Sequence, residues 1–241
     1  MITSRSNERI KAVRRLMDSR AARQKSRLIV LEGERLCREA PRIKELYYTE
    51  KADIGALKER ADELVLVSDD VFKKLGDTVN PQGVIAVTEM PSFESKLEPS
   101  GRYLAFENIS DPSNLGAAAR TAEAMGISGI IVSGADPFSP KVLRASMGAV
   151  LRMPVIIPED ILSYLKNAPL RKIGTVPRGG RDIRSFSFEN DIVIIGNEAN
   201  GLTDQAMGLC DELCTIKMNG RAESLNAAAA CAIVCYEMSR L

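Results

Sequence analysis

The sequence predicts an α/β protein whose second half holds a mostly parallel sheet with helices on both faces. From Tyr103 onward, short apolar runs alternate with segments of helical periodicity, and several of these runs are apolar throughout. Continuously apolar strands are buried on both faces, which is typical of parallel sheets covered by helices. The composition, 45% hydrophobic and 27% charged, is that of an ordinary globular protein.

The first part of the chain predicts a smaller α/β unit. Apolar residues recur at helical spacing at Ile10, Val13, Leu16 and Met17, which indicates an amphipathic helix. Strands are predicted at 28–31, 46–49, 64–67 and 84–87, and helices from 34, over 53–62 and over 69–75. The segment 91–100 contains two prolines and three serines and predicts a linker. We therefore expect one domain over 1–90, a linker over 91–100 and a second domain over 101–241.

The second part predicts longer alternation of strands and helices. The predicted strands cover 103–106, 129–132, 155–157, 172–175, 192–195 and 214–217. A helix is expected from Leu115 to Met125, because Gly126 can close it in a left-handed conformation. An alanine-rich helix is expected from Leu225 to Ser239.

Positive charge is concentrated at the start of the chain. Residues 1–27 carry nine basic side chains against two acidic ones, although the whole chain has 33 basic and 32 acidic residues. Such a segment predicts a polyanionic partner, because phosphate contacts dominate affinity for nucleic acids. The candidate RNA-binding residues are Arg14, Arg15, Arg20 and Arg23. The alternative is a solvated amphipathic helix without a ligand.

Cysteine usage and hydropathy predict a cytoplasmic protein without a membrane partner. The five cysteines, an odd number, favour a reducing compartment. No apolar run is long enough to cross a bilayer, and the basic N-terminal segment lacks the apolar region of a secretory signal. Two cysteine pairs could in principle form a four-thiolate zinc site, but their apolar, alanine-rich setting favours buried thiols. We therefore predict no metal. These pairs are Cys210 with Cys214 and Cys231 with Cys235.

Three polar loops, at 108–122, 196–201 and 216–226, each follow a predicted strand. In open parallel sheets, ligands bind beyond the carboxyl ends of strands, so these loops are the candidate site. In the first loop we expect Asn114 to cap the helix that carries Arg120. In the third we expect Ser224 to cap the last helix. A fourth loop, 178–181, reads Arg-Gly-Gly-Arg and indicates a surface turn more than a phosphate-binding loop.

The three candidate loops contain a specific set of residues at specific spacing. In order, these are Asn108, Asp111, Pro112, Asn114, Gly116, Arg120, Thr121 and Ala122; Gly196, Glu198 and Gly201; and Ile216, Met218, Gly220, Ser224, Leu225 and Asn226. This pattern resembles the motifs N-x-x-D-P-x-N-x-G-x-x-x-R-T-A, G-x-E-x-x-G and I-x-M-x-G-x-x-x-S-L-N of the SpoU (TrmH-type) methyltransferases in the SPOUT superfamily. Lys217 departs from the family, which usually has proline there. Residues 1–90, with Glu32-Gly33-Glu34 and Pro81-Gln82-Gly83, resemble the L30e-like RNA-binding domain that many members carry.

The resemblance implies a deep trefoil knot, S-adenosylmethionine as the cofactor, and a homodimer with its active site at the subunit interface. It also implies roles for individual residues. The cofactor-binding positions are Gly196, Ile216 and Leu225, with Met218 and Glu198 close by. The catalytic positions are Arg120, which acts on the ribose 2′-hydroxyl, and Asn114, Glu198, Ser224 and Asn226, which position Arg120 and the ribose.

Several alternatives stay open from the sequence. The favoured activity is methylation of a ribose 2′-hydroxyl in ribosomal RNA. Transfer RNA is the alternative substrate, and the preference for ribosomal RNA rests on analogy with the N-terminal domain. A catalytically silent RNA-binding or assembly protein with the same fold, and a base methyltransferase, are the other two functions considered. Arg120 either removes the hydroxyl proton or orients the hydroxyl and stabilises a developing alkoxide, since guanidinium groups ordinarily stay protonated.

Overall fold

The computed structural model describes residues 1–76 and 81–240, so Leu241 of the expected second domain lies outside the described residues. The chain forms two compact units. The first contains 1–92 together with 138–151, and the second contains 93–137 together with 152–241. The sequence pattern gave no sign that residues 138–151 would group with the first unit.

The first unit contains a four-stranded mixed sheet. Its strands are β1 (Leu28–Glu32), β2 (Ile43–Tyr48), β3 (Ala61–Leu66) and β4 (Val84–Glu89), in the order β1-β4-β2-β3. Strand β4 is antiparallel to both neighbours, whereas β2 and β3 are parallel. The helices are α1 (Glu8–Asp18), α2 (Arg20–Ser26), α3 (Glu34–Cys37), α4 (Gly55–Lys58) and α5 (Asp69–Leu75). All four predicted strands are confirmed, but the helix expected over 53–62 is a single turn because Ala61 already belongs to β3.

Helices α1 and α2 form the basic N-terminal segment. Asn7 caps α1, and the predicted apolar stripe of α1 is buried in the core of the first unit. Arg23 on α2 is also buried, with 3% of its surface exposed, and its guanidinium donates to the carbonyls of Leu16 and Met17 at the end of α1. The expectation that Arg23 binds RNA is therefore corrected, because its donors satisfy helix carbonyls inside the protein.

Residues 138–151 contribute one further helix to the first unit. Helix α7 (Pro140–Ala145) is capped by Ser139 and packs against β1. Its buried residues include Val142 and Leu143. Arg144 of this helix pairs with the buried side chain of Glu32 at the end of β1, with 3.3 Å between nitrogen and oxygen.

The second unit is built on a seven-stranded sheet whose ladders are all parallel. Its strands are β5 (Tyr103–Ile109), β6 (Gly129–Gly134), β7 (Val155–Ile156), β8 (Arg171–Thr175), β9 (Arg181–Asp182), β10 (Asp191–Ile195) and β11 (Glu212–Thr215). Its helices are α6 (Pro112–Ala124), α8 (Ile161–Asn167), α9 (Asp204–Leu209) and α10 (Ala227–Ser239). The predicted parallel sheet is confirmed, although α7, α8, α9 and β9 were not expected.

The strand order of this sheet places a switch point at its centre. The order is β7-β6-β5-β10-β8-β11-β9, so the chain first runs outward from β5 and later returns to insert β10 beside it. At such a point the loops that leave adjacent strands diverge and leave a crevice at the carboxyl edge. The loops that follow β5, β8, β10 and β11 therefore all lie at this edge.

Two helix beginnings differ from the sequence expectation, and both differences free a predicted site residue. Helix α6 is capped by Asp111, which accepts from the Ser113 N–H at 2.8 Å, so Asn114 lies in the first turn instead of capping it. Helix α10 is capped by Asn226, which accepts from the Ala228 and Ala229 N–H groups, so Ser224 lies before the helix. At its other end α6 closes as expected, with Gly126 at φ +69°.

The expected linker is packed against the second unit. Leu97 is buried in a core cluster of that unit. The Tyr164 hydroxyl donates to the Ser95 carbonyl, and the Glu98 N–H donates to the Tyr103 hydroxyl at 2.9 Å. Residues 93–100 of the expected linker therefore group with the second unit, and 91–92 with the first.

Among the described helices, none combines the length and apolarity that crossing a bilayer would need. All five cysteines are free thiols, and four of them are buried. Cys231 and Cys235 lie one turn apart on α10, with 3.7 Å between their sulfur atoms. Both are on the side of α10 that packs against α6. Cys210 lies at the end of α9 and Cys214 on β11. Within 1–76 and 81–240, no group of three or more potential ligand side chains has a metal-binding arrangement.

Candidate active site

The site begins where β5 and β10 leave the sheet side by side. Phe106 of β5 is the register partner of Ile195, the last residue of β10. The segment 107–111, which is the end of β5 and the two residues after it, therefore runs beside the loop 196–203 that follows β10. Asn108 lies at the turning point, with a left-handed φ of +57° that asparagine tolerates better than most residues. These two segments form the floor of the site. Ser110 of the first and Glu198 of the second are bonded to each other although they are 88 residues apart in the sequence.

Glu198 is the centre of a hydrogen-bond network between these segments. One carboxylate oxygen accepts from the Ser110 N–H at 3.1 Å and the Ser110 hydroxyl at 2.8 Å. The other accepts from the Asp111 N–H at 3.1 Å and the Asn114 side-chain amide at 3.0 Å. The side chain thus bonds both the backbone before α6 and a residue in its first turn.

These contacts keep Glu198 in its charged form. Burial alone would raise the pKa of this carboxyl group, but the hydrogen bonds from Asn114 and Ser110 favour the carboxylate more strongly and lower the pKa to about 2. Glu198 is therefore an anion at neutral pH with its lone pairs directed at fixed donors. A group of this kind positions neighbours and is a poor acceptor for a proton.

The network continues to the last helix. The Asn226 side-chain amide donates to the Asn114 side-chain oxygen at 2.9 Å. The oxygen of Asn226 meanwhile caps α10. One polar chain thus joins the second, first and third predicted loops in the order Glu198, Asn114, Asn226. The structure brings these three predicted catalytic residues together.

The loop 196–203 is a closed turn with no space at its first residue. Asn197 and Gly201 exchange two backbone hydrogen bonds of 2.9 Å, and the Asn197 side chain donates to the Asn108 carbonyl at 2.8 Å. A Cβ atom at Gly196 would lie 2.2 Å from the carbonyl carbon of Gly201, so only glycine fits there. Gly201 needs its own freedom for a φ of +69°. The glycines of the second motif are thereby explained by the turn.

A cleft of about 360 Å³ opens between the loops that follow β8, β10 and β11. All five predicted cofactor residues line it, and so does Ser224, which was predicted as catalytic. The lining residues are Thr175–Pro177, Ile195–Leu202, Met207, Ile216, Met218, Ser224, Leu225, Ala227 and Ala230. Sequence reasoning missed the contribution of 175–177, although these residues are the end of a predicted strand and the two residues after it, and could have been included on that ground.

The third loop offers its backbone to the cleft. Within the part of the chain that the structure describes, no hydrogen bond joins the backbone of residues 217–225 to another residue. Their N–H and C=O groups are therefore available to a ligand. Leu225 is 37% exposed, unusual for a leucine in a folded protein, and its side chain faces the same cleft. Lys217, the departure from the family motif, is exposed between the cleft residues Ile216 and Met218.

Arg120 is separated from this network. It is exposed on α6, and among the described residues its side chain makes no ion pair or hydrogen bond. Six residues separate it from Asn114, which at 3.6 residues per turn places the two side chains about 120° apart around the helix. Arg120 therefore does not share the face of α6 that meets Glu198.

The Arg178 loop is a surface turn, as the sequence favoured. Gly179 adopts a left-handed φ of +85° with open space around it. Arg181 stacks on the Phe186 ring at 3.9 Å from its centre and pairs with Glu212 at 2.7 Å. The Arg181 guanidinium thus has internal partners, whereas Arg178 is exposed.

Comparison with known proteins agrees with this architecture. The SpoU rRNA methylase family model matches residues 101–236, and the MRM3-like substrate binding domain model matches residues 7–86. The chain is 30% identical to the 23S rRNA (guanosine(2553)-2′-O)-methyltransferase RlmP of Bacillus subtilis (strain 168), over 98% of each protein. It is 32% identical to the 23S rRNA (uridine(2479)-2′-O)-methyltransferase of Streptomyces viridochromogenes, over 74% of this chain and 67% of that protein.

Solved structures share the fold over nearly the whole chain. The SpoU methyltransferase AviRb of Streptomyces viridochromogenes, in complex with its cofactor AdoMet, superposes with a TM-score of 0.84 at 27% identity, over 97% of this chain and 98% of that one. An AdoMet-bound rRNA methyltransferase of Sinorhizobium meliloti superposes with a TM-score of 0.86 at 29% identity, over 99% and 97%. With the motif residues assembled at one edge of a parallel sheet, these matches show that the chain belongs to the SpoU rRNA methylase family.

Proposed function

We propose that this protein is an S-adenosylmethionine-dependent methyltransferase that methylates a ribose 2′-hydroxyl of ribosomal RNA. The observation that carries the proposal is the chain of hydrogen bonds from Glu198 through Asn114 to Asn226. It joins the cleft-lining loops to the helix that bears Arg120. A protein retained only for binding RNA would not need this polar connection beside a ligand-sized cleft. Two relatives, of Bacillus subtilis and Streptomyces viridochromogenes, are named for action on 23S rRNA, which supports ribosomal RNA over transfer RNA as the substrate class.

The cleft fits the cofactor in size and chemistry. Its volume lies within the range of small-molecule sites. Side chains of Ile216, Met218 and Leu225 supply apolar surface for a purine, and the unpaired backbone of the third loop supplies donors and acceptors for its edge. We assign cofactor binding to these residues and to Gly196. When bound, S-adenosylmethionine supplies a methyl group activated by the positive charge on its sulfur.

The protein's own residues would orient the ribose and manage charge on the 2′-oxygen. We assign Glu198 and Asn226 to fixing Asn114, and Asn114 and Ser224 to positioning the ribose. We assign Arg120 to binding the substrate and stabilising negative charge that develops on the oxygen. A guanidinium that stays protonated performs this role without accepting the proton, which passes to solvent.

The first unit would bind the RNA outside the reactive nucleotide. We propose that residues 1–90 act as the substrate-binding domain and that the surface of α1 and α2 contacts phosphates. Arg15 is exposed, whereas Arg14 and Arg20 are half-buried. Arg14 donates to the Leu75 carbonyl and pairs with Asp18. A protein with this substrate is expected in the cytoplasm.

We further propose a homodimer in which Arg120 serves the partner's cleft. Arg120 points away from the Glu198 network of its own chain. Two large apolar side chains are exposed at one end of the α6–α10 pair, namely Met125 at 37% and Tyr236 at 56%. A second copy of the chain would cover them and bring Arg120 to a neighbouring site. The trefoil knot of the C-terminal segment stays a prediction from the family resemblance.

The cofactor assignment is tested by Gly196→Val and Leu225→Asp. The first inserts side-chain atoms where the turn has no space, and the second places a carboxylate in the apolar wall. Both should abolish measurable binding of S-adenosylhomocysteine in calorimetry. Gly208→Val is the matched control, because a Cβ atom at Gly208 meets nothing within 4 Å. Normal affinity in both cleft variants, with the fold intact, would place the cofactor elsewhere.

The role of Arg120 is tested by Arg120→Ala and Arg120→Lys. Both should bind S-adenosylmethionine normally, while turnover falls by a factor of at least about 10², the scale of losing a charge-stabilising group. Lysine should not rescue, because an ammonium lacks the planar fork of a guanidinium. Lys166→Ala, at an exposed position on α8, is the control. The product should resist alkaline hydrolysis at the methylated linkage, and methyl label recovered on a base would refute the ribose assignment.

RNA binding by the first unit is tested by reversing Arg15 and Arg20 to glutamate. Affinity for ribosomal RNA fragments should fall steeply, and its dependence on salt should become weaker because phosphate contacts are lost. Cofactor affinity should not change, and Arg15→Glu alone should leave the melting temperature unchanged because Arg15 is exposed. Arg23→Ala should behave differently: it should lower stability by about 1–3 kcal/mol, because it leaves the carbonyls of Leu16 and Met17 without their donor. An unchanged salt dependence in the reversed variant would show that α1 and α2 form a solvated surface that does not bind RNA.

The dimer is tested by mixing two inactive variants, Arg120→Ala and Gly196→Val, after joint unfolding and refolding. If Arg120 acts across the interface, each mixed dimer has one intact cleft facing one intact Arg120. Random pairing then restores about a quarter of the wild-type activity. Light scattering should give twice the monomer mass. No recovery, with mixed dimers present, would place Arg120 at the cleft of its own chain.

A further inference from the structure

Strand β5 carries, near its carboxyl end, a buried carboxyl group that the proposed chemistry does not use. Residues 103–106 are apolar and buried, but the next residue, Glu107, is also buried, with 1% of its surface exposed. Burying a carboxyl group is costly unless its oxygens accept hydrogen bonds. Both oxygens of Glu107 do so, and both donors belong to one residue, Thr203.

Thr203 is the last residue of the loop 196–203. Its N–H donates to Glu107 at 3.0 Å and its hydroxyl donates to the other oxygen of the same group. The same hydroxyl accepts from the Ala206 N–H at 3.1 Å, which caps α9. The carboxyl group of Glu107 therefore fixes the position at which the loop 196–203 becomes helix.

The loop 196–203 has two arms, 196–198 and 201–203, and both are hydrogen-bonded to residues 107–111. The first arm is bonded to 108–111 through the side chains of Asn197 and Glu198. The second arm is bonded to Glu107 through Thr203. The arms also contact each other, because Gly196 has no Cβ and the backbone of Gly201 and Leu202 occupies the position where one would lie. Residues 107–111 thus hold the whole turn from one side.

We infer that Glu107 is a positioning residue for the cofactor cleft, acting through Thr203 on the loop 196–203. This inference rests on the proposed function, since it assigns the cofactor to that loop. Neither residue is among the cleft-lining side chains, so neither touches the cofactor. A loosened second arm would let Gly201 and Leu202 move away from Gly196 and widen the cleft wall.

The inference is tested with Glu107→Gln, Thr203→Val and the double variant. Glutamine keeps the shape of Glu107 but turns an amide towards one of the two donors. Valine keeps the shape of Thr203 but removes its hydroxyl. Each single variant should weaken binding of S-adenosylhomocysteine at least about tenfold, and the double variant should be no weaker than the worse single one. Thr203→Ser, which keeps the hydroxyl, should restore affinity.

Two measurements separate positioning from a general loss of stability. Asp160→Ala removes the cap of α8 in the same unit and should lower the melting temperature similarly without changing cofactor affinity. In cofactor-free protein, amide hydrogens of 197–206 should exchange faster in Glu107→Gln, while those of β6 should not. In turnover, the KM for S-adenosylmethionine should rise while the kcat at saturation stays within about threefold.

Three results would overturn the inference: normal affinity in Glu107→Gln, an equal loss of affinity in Asp160→Ala, or additive losses in the double variant. Failure of the proposed function gives a different result, because wild-type protein would then not bind S-adenosylhomocysteine at all.

Discussion

The carboxylate of Glu198 is the contact on which the geometry of the site depends. It is held by backbone and side-chain donors from a segment almost ninety residues earlier in the chain. Because those donors fix its orientation, Asn114 is fixed, and through Asn114 the cap of the last helix is fixed as well. The carboxylate is also held in its charged form, so the network does not rearrange with pH near neutrality. Every member of the network has a hydrogen-bond partner within the chain, which restricts the orientation of each side chain.

The parallel sheet makes this contact possible. In a parallel sheet the carboxyl ends of all strands lie at one edge, so loops from distant parts of the sequence must meet there. The insertion of β10 between β5 and β8 determines which loops become neighbours. The closely packed glycine turn then holds the two ends of the loop 196–203 together beside the cleft. Fold and site are thus related by topology, and the individual side chains refine a position that the strand order has already set.

Much of this could be predicted from the sequence, and the exceptions have physical reasons. Apolar runs located every strand of the large sheet except β9, whose two residues, Arg181 and Asp182, are both charged and form no apolar run. The helix caps were misplaced because Asp111 and Asn114 are both good capping residues, as are Ser224 and Asn226. Arg23 was read as a surface cation because local sequence does not show that a helix end will turn back and bury it. The role of Glu107 could not be predicted, since its partner Thr203 lies 96 residues away.

The grouping of residues 138–151 with the first unit has a consequence for synthesis of the chain. Domains generally fold as units as they emerge from the ribosome, the N-terminal one first. Here β1 receives the helix that packs against it from a segment more than a hundred residues later. Until α7 has left the exit tunnel, the first unit lacks one of the helices that pack against β1. By then β5, α6 and β6 of the second unit have already been made.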